Sequence, residues 1–414
     1  MAYEYRGIAY LRQKLNRKRI RVRRRYNFYE MKILVRDLGI STPPELRGWN
    51  SALGWCAHAV DDMADRLIFR EFRNDIFGMN EIYFANNTDT LFDSAILSAL
   101  IASCSFVRVY RTDGALPALE VIDGANATGV MNESTGLLEE GYAVLERNSM
   151  GQPTREAWFT KERTVYYENG RQTDEREHPA GWPLLVPVVF RPDAQRPFGH
   201  SRISRACMSY TESAIRTIKR SEISAEFYSF PQKWVTGVAQ DAEFADKWQA
   251  AMSAFIKFTV DENGADTVKF GQFQQASQAP HLEQLRMFAS LFAGETALTL
   301  DDLGFPSENP SSQEAIKAAH ENLRLKARKA QRTFGTGFLN AGFLAACLRD
   351  DYTYSRDAIA MTRPIWEPVF EPDASGLNLL GDGVLKLNTA VPDFITRETL
   401  RDLTGIQTSE SETI

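Results

Sequence analysis

The chain has 414 residues, 43% of them hydrophobic and 25% charged, with a formal net charge of −6. That length and apolar share allow a large core and two or three domains of ordinary size, and so mild a net charge advertises no nucleic-acid partner in the total, although local clusters still can. Cys56, Cys104, Cys207 and Cys347 form no CxxC pair, His58, His178, His200, His281 and His320 are equally dispersed, no run of 18 apolar residues occurs and the N-terminus lacks an apolar signal core. Reduced, buried thiols in a cytoplasm-made chain are therefore expected, with no disulfide framework, zinc site, membrane span or secretory signal.

Nine of the fourteen positions from Arg12 to Arg25 are Lys or Arg, with Leu15, Ile20 and Val22 between them. The plain reading is a solvated basic helix; the sharper one is an anionic partner, either nucleic acid or an acidic protein face. Tyr26, Phe28 and Tyr29 follow, and such aromatics more often dock a helix onto a core than stack on bases. From 50 to 78 apolar residues recur at helical spacing through "WNSALGWCAHAVDDMADRLIFREFR", and a second apolar helix is expected at "DTLFDSAILSALIASCSF". Between 105 and 190 the pattern changes to short strands, "FVRVYR", "LEVIDG", "EGYAVLERN", "EAWFTKERTVYYENGR" and "LLVPVVF", separated by Asp-Gly, Gly-Gln and Asn-Gly turns. An antiparallel sheet on a helical base is expected.

Helical periodicity returns over 201–229, where Ile203, Cys207, Tyr210, Ala214, Ile218, Ile223 and Phe227 share roughly one face. A compact αβ module follows: "KWVTG", "IKFTV" and "TVKFGQF" as strands, "DAEFADKWQAAMSAF" as a helix. Another helix, "PHLEQLRMFASLFAGETALTL", leads into "LDDLGFPSENPSSQEA", where Gly304, Pro306 and Pro310 break regular structure and Ser307, Asn309, Ser311 and Ser312 bond their own backbone. This is a loop, and its "SSQEA" end caps a long helix starting near Ser311 or Ser312. That helix, over 312–348, carries an apolar stripe from Ile316 and Leu323 to Phe334 and Phe338, and Lys317, Arg324, Lys326, Arg328, Lys329 and Arg332 crowd its N-terminal half. A structural role and a charged face serving a neighbour or DNA stand equally open. The final 50 residues read as a strand, small helices and a frayed polar tail.

Two motifs invite chemistry. Asp61, Asp62 and Asp65 match the DDxxD spacing that holds diphosphate through magnesium, but no second aspartate cluster completes a cage, so a surface helix is the better reading. Gly335, Gly337 and Gly342 only loosely resemble a dinucleotide fingerprint, since no strand precedes them and Asn340 stands where a glycine is required; close helix packing accounts for them. Neither GxxxxGK[ST] nor HExxH occurs.

The order of parts, together with "RRYNFYEMK", "RPFGHSRIS", "FPQKWVTG" and "HLEQLRMFASLFAGETALTLDDLGFPSENPSSQEAIKAA", resembles the portal (head-tail connector) proteins of tailed bacteriophages over about 10–405. The resemblance implies an α+β ring subunit: a wing over 1–200, a first stem helix over 201–228, a clip over 229–281, a second stem helix over 282–300, a tunnel loop over 301–312, a long wing helix and closing strand over 313–365, and a crown and tail over 366–414. It implies a homo-oligomeric ring of twelve at the capsid vertex of a virion, assembled in the host cytoplasm, through which double-stranded DNA is packaged and ejected. Implied partners are the terminase packaging motor, a head-tail adaptor, the major capsid protein and scaffolding protein, without a membrane, cofactor, metal or catalytic residue.

On that reading the tunnel loop presents Asp301, Asp302, Phe305, Ser307, Glu308 and Asn309, and an acidic or neutral lining avoids trapping DNA. Arg216, Lys219 and Arg220 on the first stem helix are candidates for phosphate contact, Lys233, Trp234, Phe258 and Lys269 for the clip and adaptor interface, and Arg17, Lys18, Arg21 and Arg24 for DNA, capsid or scaffolding contact. The competing readings are a magnesium-dependent diphosphate-binding or phosphotransfer enzyme built on Asp61, Asp62 and Asp65, and a nucleic-acid-binding adaptor led by the basic N-terminus.

Overall fold

The computed structural model of the chain describes residues 4–35, 48, 50–229, 233–238, 255–259, 269–272, 277–306, 317–370 and 374–406. Helix α1 (Gly7–Tyr29) buries Leu11, Leu15, Val22 and Phe28, whereas Ile20 is 75% exposed, so the apolar seam is narrower than the sequence suggests. Helix α2 (Trp55–Ala64) is shorter than the helical spacing through residue 78 predicts: "FREFR" is instead a strand, β1 (Phe69–Arg73). Its partner lies almost 300 residues downstream, which no local period reveals. Helices α3 (Met79–Phe84) and α4 (Thr88–Ala102) complete the helical base.

The β layer consists of two antiparallel sheets. In one, β2 (Cys104–Tyr110) lies between β3 (Ala118–Ile122) and β9 (Leu185–Val189); in the other, β4 (Ala127–Met131), β5 (Leu138–Arg147), β6 (Pro153–Phe159), β7 (Arg163–Glu168) and β8 (Arg171–Glu177) follow one another as a meander. Asn169 and Gly170 both have positive φ, 49° and 81°, the backbone of a type I′ turn, so the Asn-Gly pair closes the β7–β8 hairpin as expected. Asp123-Gly124 does not close a hairpin: it passes the chain from one sheet to the other, with the Asp123 carboxylate accepting from Asn126 Nδ2 at 2.6 Å. Strand β8, "RQTDERE", is exposed throughout and carries no apolar alternation, which is why its sequence gave no strand signal.

Beyond the β layer come α5 (Arg205–Ser229), three short strands β10 (Lys233–Val238), β11 (Phe255–Thr259) and β12 (Lys269–Gln272), then α6 (Ala279–Thr296), a 3-10 turn Asp301–Leu303, α7 (Glu321–Arg349), β13 (Arg363–Trp366), α8 (Ala374–Ala390) and α9 (Arg397–Thr404). Residues 317–319 are also helical, while 307–316, where the start of the long helix is expected, lie outside the described residues. Strand β13 is the antiparallel partner of β1. The C-terminal region is more helical than its sequence suggests, since the 17 residues of α8 include "DGVLKLN".

One core joins the helical base, the β layer and α7. Phe334, Phe338 and Phe343 of α7 are buried, Phe92 and Phe338 meet edge to face at 4.5 Å, and the Tyr83 hydroxyl donates to the Phe338 carbonyl at 2.6 Å. The α7 glycines serve packing: a Cβ at Gly335 would lie 2.7 Å from Pro364, and one at Gly342 would lie 2.9 Å from the Met79 sulfur. The architecture is α+β. All four cysteines are free and buried. Among the described residues no helix is long and apolar enough to cross a membrane.

Candidate functional site

Helices α5 and α6 run antiparallel. Thr217 Oγ1 donates to Gln284 Oε1 at 3.0 Å and Ser221 Oγ to Gln278 Oε1 at 3.4 Å, so partners descend on α6 as they ascend on α5. At about 1.5 Å per residue, α5 is roughly 37 Å long. Between the two helices is inserted a separate sheet in which β10 is central, parallel to β11 and antiparallel to β12. The three strands lie where "KWVTG", "IKFTV" and "TVKFGQF" predict them; the helix expected between the first two falls on residues outside those described. Trp234 is half-buried with its indole against Gly271, where a Cβ would come within 2.4 Å of the ring, and Lys269 is exposed. The side chains of Lys233 and Phe258 lie outside the described residues. Arg216 and Arg220 are half-buried, whereas Lys219 is only 4% exposed, within the chain.

The joint between this hairpin and the body turns on two residues that sequence reasoning passed over. Gly199 has φ +70°, and a Cβ there would lie 2.1 Å from the Phe190 carbonyl oxygen. Arg202 is 8% exposed and donates through Nε to the Ala59 carbonyl of α2 and through Nη2 to the Thr296 carbonyl of α6 at 2.9 Å. Burial pushes its guanidinium down to about 10. A lone Arg in "GHSRIS" carries no local sign that it will be buried.

The turn after α6 is anchored. Thr299 N donates to Asp302 Oδ2 at 2.7 Å, Asp302 N donates to Thr299 Oγ1 at 3.2 Å, Leu303 is buried, and Phe305 packs half-buried on the main core. Asp301 is exposed. The segment read as a loop from its Gly and Pro residues is thus pinned by two apolar residues over 301–306; Ser307, Glu308 and Asn309 lie outside the described residues.

The basic helix divides its charges. Arg12 forms a two-pronged pair with the buried Glu156, at 3.0 and 2.7 Å, Lys14 Nζ donates to the Gly129 carbonyl at 2.7 Å, and Lys18 Nζ lies 3.0 Å from Cys104 Sγ and 5.0 Å above the Phe106 ring. Arg25 donates to the Ala102 carbonyl at 3.1 Å, and Arg24 reaches Glu212 of α5 at 3.1 Å. Arg17 and Arg21 are exposed, with no hydrogen-bond or ion-pair partner among the described residues. Half of this run is therefore a docking face for the sheets, which its charge alone conceals.

The aspartate cluster is tied into its surroundings. Tyr29 donates to Asp61 Oδ1 at 2.8 Å, and Asp62 sits 3.6 Å from His58, its carboxyl raised by burial against the opposing pull of His58. Among the described residues, no three His, Cys, Asp or Glu side chains lie so as to share a metal ion.

The described residues thus form a body and a helical hairpin carrying a small sheet. No protein-family model matches it. It is similar to the portal protein of Mycobacterium phage D29, 23% identical over 406 residues that cover 93% of this chain and 82% of that protein, and to the portal protein of Mycobacterium phage L5, 22% identical over the same length and shares. Among solved structures, a chain from the neck of a native gene transfer agent particle, computed with C12 symmetry, aligns with a TM-score of 0.46 and 14% identity over 86% of this chain and 90% of that one. A chain from the neck of the empty particle, computed with C6 symmetry, aligns at 0.46 and 13% over 90% and 96%. The resemblance read from the sequence is thus matched by similarity to two phage portal proteins over nearly the whole chain.

Proposed function

We propose that this chain assembles into a closed ring at the capsid vertex of a virion, forming the channel through which double-stranded DNA is packaged and ejected, and docking a terminase motor and later a head-tail adaptor. The observation that carries this reading is the similarity to two phage portal proteins along 93% of the chain. In it, residues 1–200 form the wing, α5 and α6 the stem, 229–281 the clip, 301–312 the tunnel loop, 313–365 the returning wing helix and its strand, and 366–414 the crown. Met287 and Leu291, one turn apart on α6, are 49% and 46% exposed, a face suited to burial against the next subunit, and Leu282 is 61% exposed on another face of the same helix. Arg216 and Arg220 remain the stem candidates for phosphate contact, and Trp234 and Lys269 those for the adaptor face. The major capsid and scaffolding proteins would surround the wing.

Mass measurement and negative-stain imaging of the purified protein test the ring: closed particles many times 46.8 kDa are expected, and a chain that stays monomeric at assembly concentrations overturns the reading. The channel role is tested by replacing Asp301, Asp302 and Glu308 together with Lys. Three new cations per subunit, repeated around the ring, should hold DNA more tightly and with steeper salt dependence, slowing packaging or ejection. Unchanged DNA per particle and ejection rate would remove the loop from the channel.

A further inference from the structure

Between α1 and the β2 end of the sheet lies a cleft of about 400 Å³. Six cations line it: Lys14, Arg17, Lys18, Arg21 and Arg25 from one side of α1, and Arg196 from the loop after β9. No carboxylate lines it. Glu140 and Asp193, outside the lining, have partners of their own: Glu140 accepts from the Arg6 and Gly7 amides at 3.1 and 3.2 Å, and Asp193 meets His200 Nε2 at 2.6 Å. From Lys14 to Arg25 the row runs about 16 Å along the helix. Its floor is built: Lys14, Lys18 and Arg25 are half-buried and held by the Gly129 carbonyl, the Cys104 sulfur and the Ala102 carbonyl, while Arg17, Arg21 and Arg196 stand exposed at the rim. Burial, and then the neighbouring cations, lower the Lys14 and Arg25 side chains.

We propose that this cleft binds the phosphodiester backbone of nucleic acid, on a surface distinct from the stem and the turn at 301–306. The alternative, an acidic protein segment, fits less well. Protein interfaces place apolar and aromatic groups at their centre and exclude charge from it, whereas nucleic-acid interfaces are polar and strongly positive throughout. Here Val22 is buried, Phe198, half-buried, is covered by Lys14 at 5.1 Å and Lys18 at 5.7 Å, and the Tyr10 ring by Arg6 at 5.1 Å, so apart from Pro197 the larger apolar groups of the lining are buried or screened by cations. Phosphate contacts carry no sequence information, so binding through this cleft should depend little on sequence.

The inference stands on α1 and is independent of the ring. The test is binding of a labelled 30-base-pair duplex to the full-length protein over a salt series, comparing the parent with Arg17→Ala/Arg21→Ala and, as a control, Arg171→Ala/Arg176→Ala on β8. Removing two phosphate contacts should weaken binding roughly 10- to 60-fold at 0.1 M salt and reduce the log–log salt slope by about two. Arg17→Lys/Arg21→Lys should restore most of both, and the β8 control should change little. Equal weakening by the control, or an unchanged slope in Arg17→Ala/Arg21→Ala, overturns the proposal. Poly-glutamate competing as strongly as DNA at equal charge overturns it in favour of an acidic protein. Particle mass, read on the same samples, separates this outcome from the fate of the ring: rings without cleft-dependent DNA binding refute only this inference, and monomers with it refute only the channel.

Discussion

The body and the helical hairpin are stabilised in different ways. The body, from the end of α1 through the two antiparallel sheets to α7, shares one main core with apolar residues from positions as far apart as Phe28 and Ile359, and two small clusters, around Leu11 and Leu15 and around Val22, seat the rest of α1. The hairpin of α5 and α6 contributes Cys207, Ala214, Ala289, Phe292 and Ala293 to that core near its base, while the three-stranded insertion beyond it contributes no described residue. Farther out the helices meet through hydroxyl-to-amide hydrogen bonds and Leu282 is left exposed, while Met287 and Leu291 are exposed on α6 nearer the base. A body with its own core can be rigid alone, whereas the outer hairpin has little apolar packing of its own. The difference is sharpest at the joint, where Gly199 and Arg202 decide whether the two parts move as one.

The largest expected effect is at Gly199. Alanine there would combine a left-handed backbone with a Cβ 2.1 Å from a carbonyl oxygen, and should cost about 4 kcal/mol or leave the chain insoluble. Thermal unfolding reads this, and a variant as stable as the parent would mean that the joint is not tight. Next comes Arg202→Ala, which strands two buried carbonyls and should cost about 3 kcal/mol. Proteolysis of that variant should begin in the hairpin, before the body; simultaneous cleavage of both would contradict the division.

A third test acts on the body alone. His178 is buried with neither ring nitrogen hydrogen-bonded, and burial lowers it to about 4. Because its folded value lies below the unfolded one of about 6.5, its contribution is fully present above pH 6.5 and is lost as pH falls toward 4. Stability should drop by about 2 kcal/mol between pH 7 and 5 from this group, and His178→Leu should remove that part of the slope. An identical slope in His178→Leu would assign acid sensitivity elsewhere. Smaller again is the effect of replacing residues 233–272 with a short Gly/Ser linker. The body should unfold with its midpoint shifted by no more than about 2 °C, because nothing described in the insertion belongs to the core. Loss of cooperative unfolding would show that the insertion is part of the body after all.

The same division governs what the sequence disclosed. Strands of the buried sheet were legible as apolar runs, and the Asn169-Gly170 hairpin as a turn dipeptide, because those signals are local. The pairing of β1 with β13 was not, since "FREFR" continues a helical period and its partner is remote. The inserted strands were legible as separate short segments between two helices, which is how an insertion reads. The basic helix was visible as charge, but charge counts do not reveal that Arg12 would find Glu156 or Lys18 would find Cys104, so its cleft emerged only from the packing. Lys219 reads in the sequence as a candidate for phosphate contact, since a lysine on a helix carries no local sign of burial, and the structure buries it within the chain.

The smallest effect is expected at the aspartate cluster, on the body side of the joint. Replacing Asp61, Asp62 and Asp65 together with Asn keeps an oxygen able to accept from the Tyr29 hydroxyl, which donates to Asp61 at 2.8 Å. It removes the partner of His58 at Asp62, a pair in which the His58 side chain is 45% exposed and worth little in water. Burial already works against the charged form of Asp62, so a neutral amide relieves part of that cost while giving up the attraction of His58. The two changes oppose each other, and the net shift in stability should stay within about 0.5 kcal/mol. The measurement is thermal unfolding of the triple variant with and without magnesium. A magnesium-dependent stabilisation of the parent that disappears in the variant would show a cation held by these carboxylates, and would turn a helix surface back into a candidate site for diphosphate chemistry.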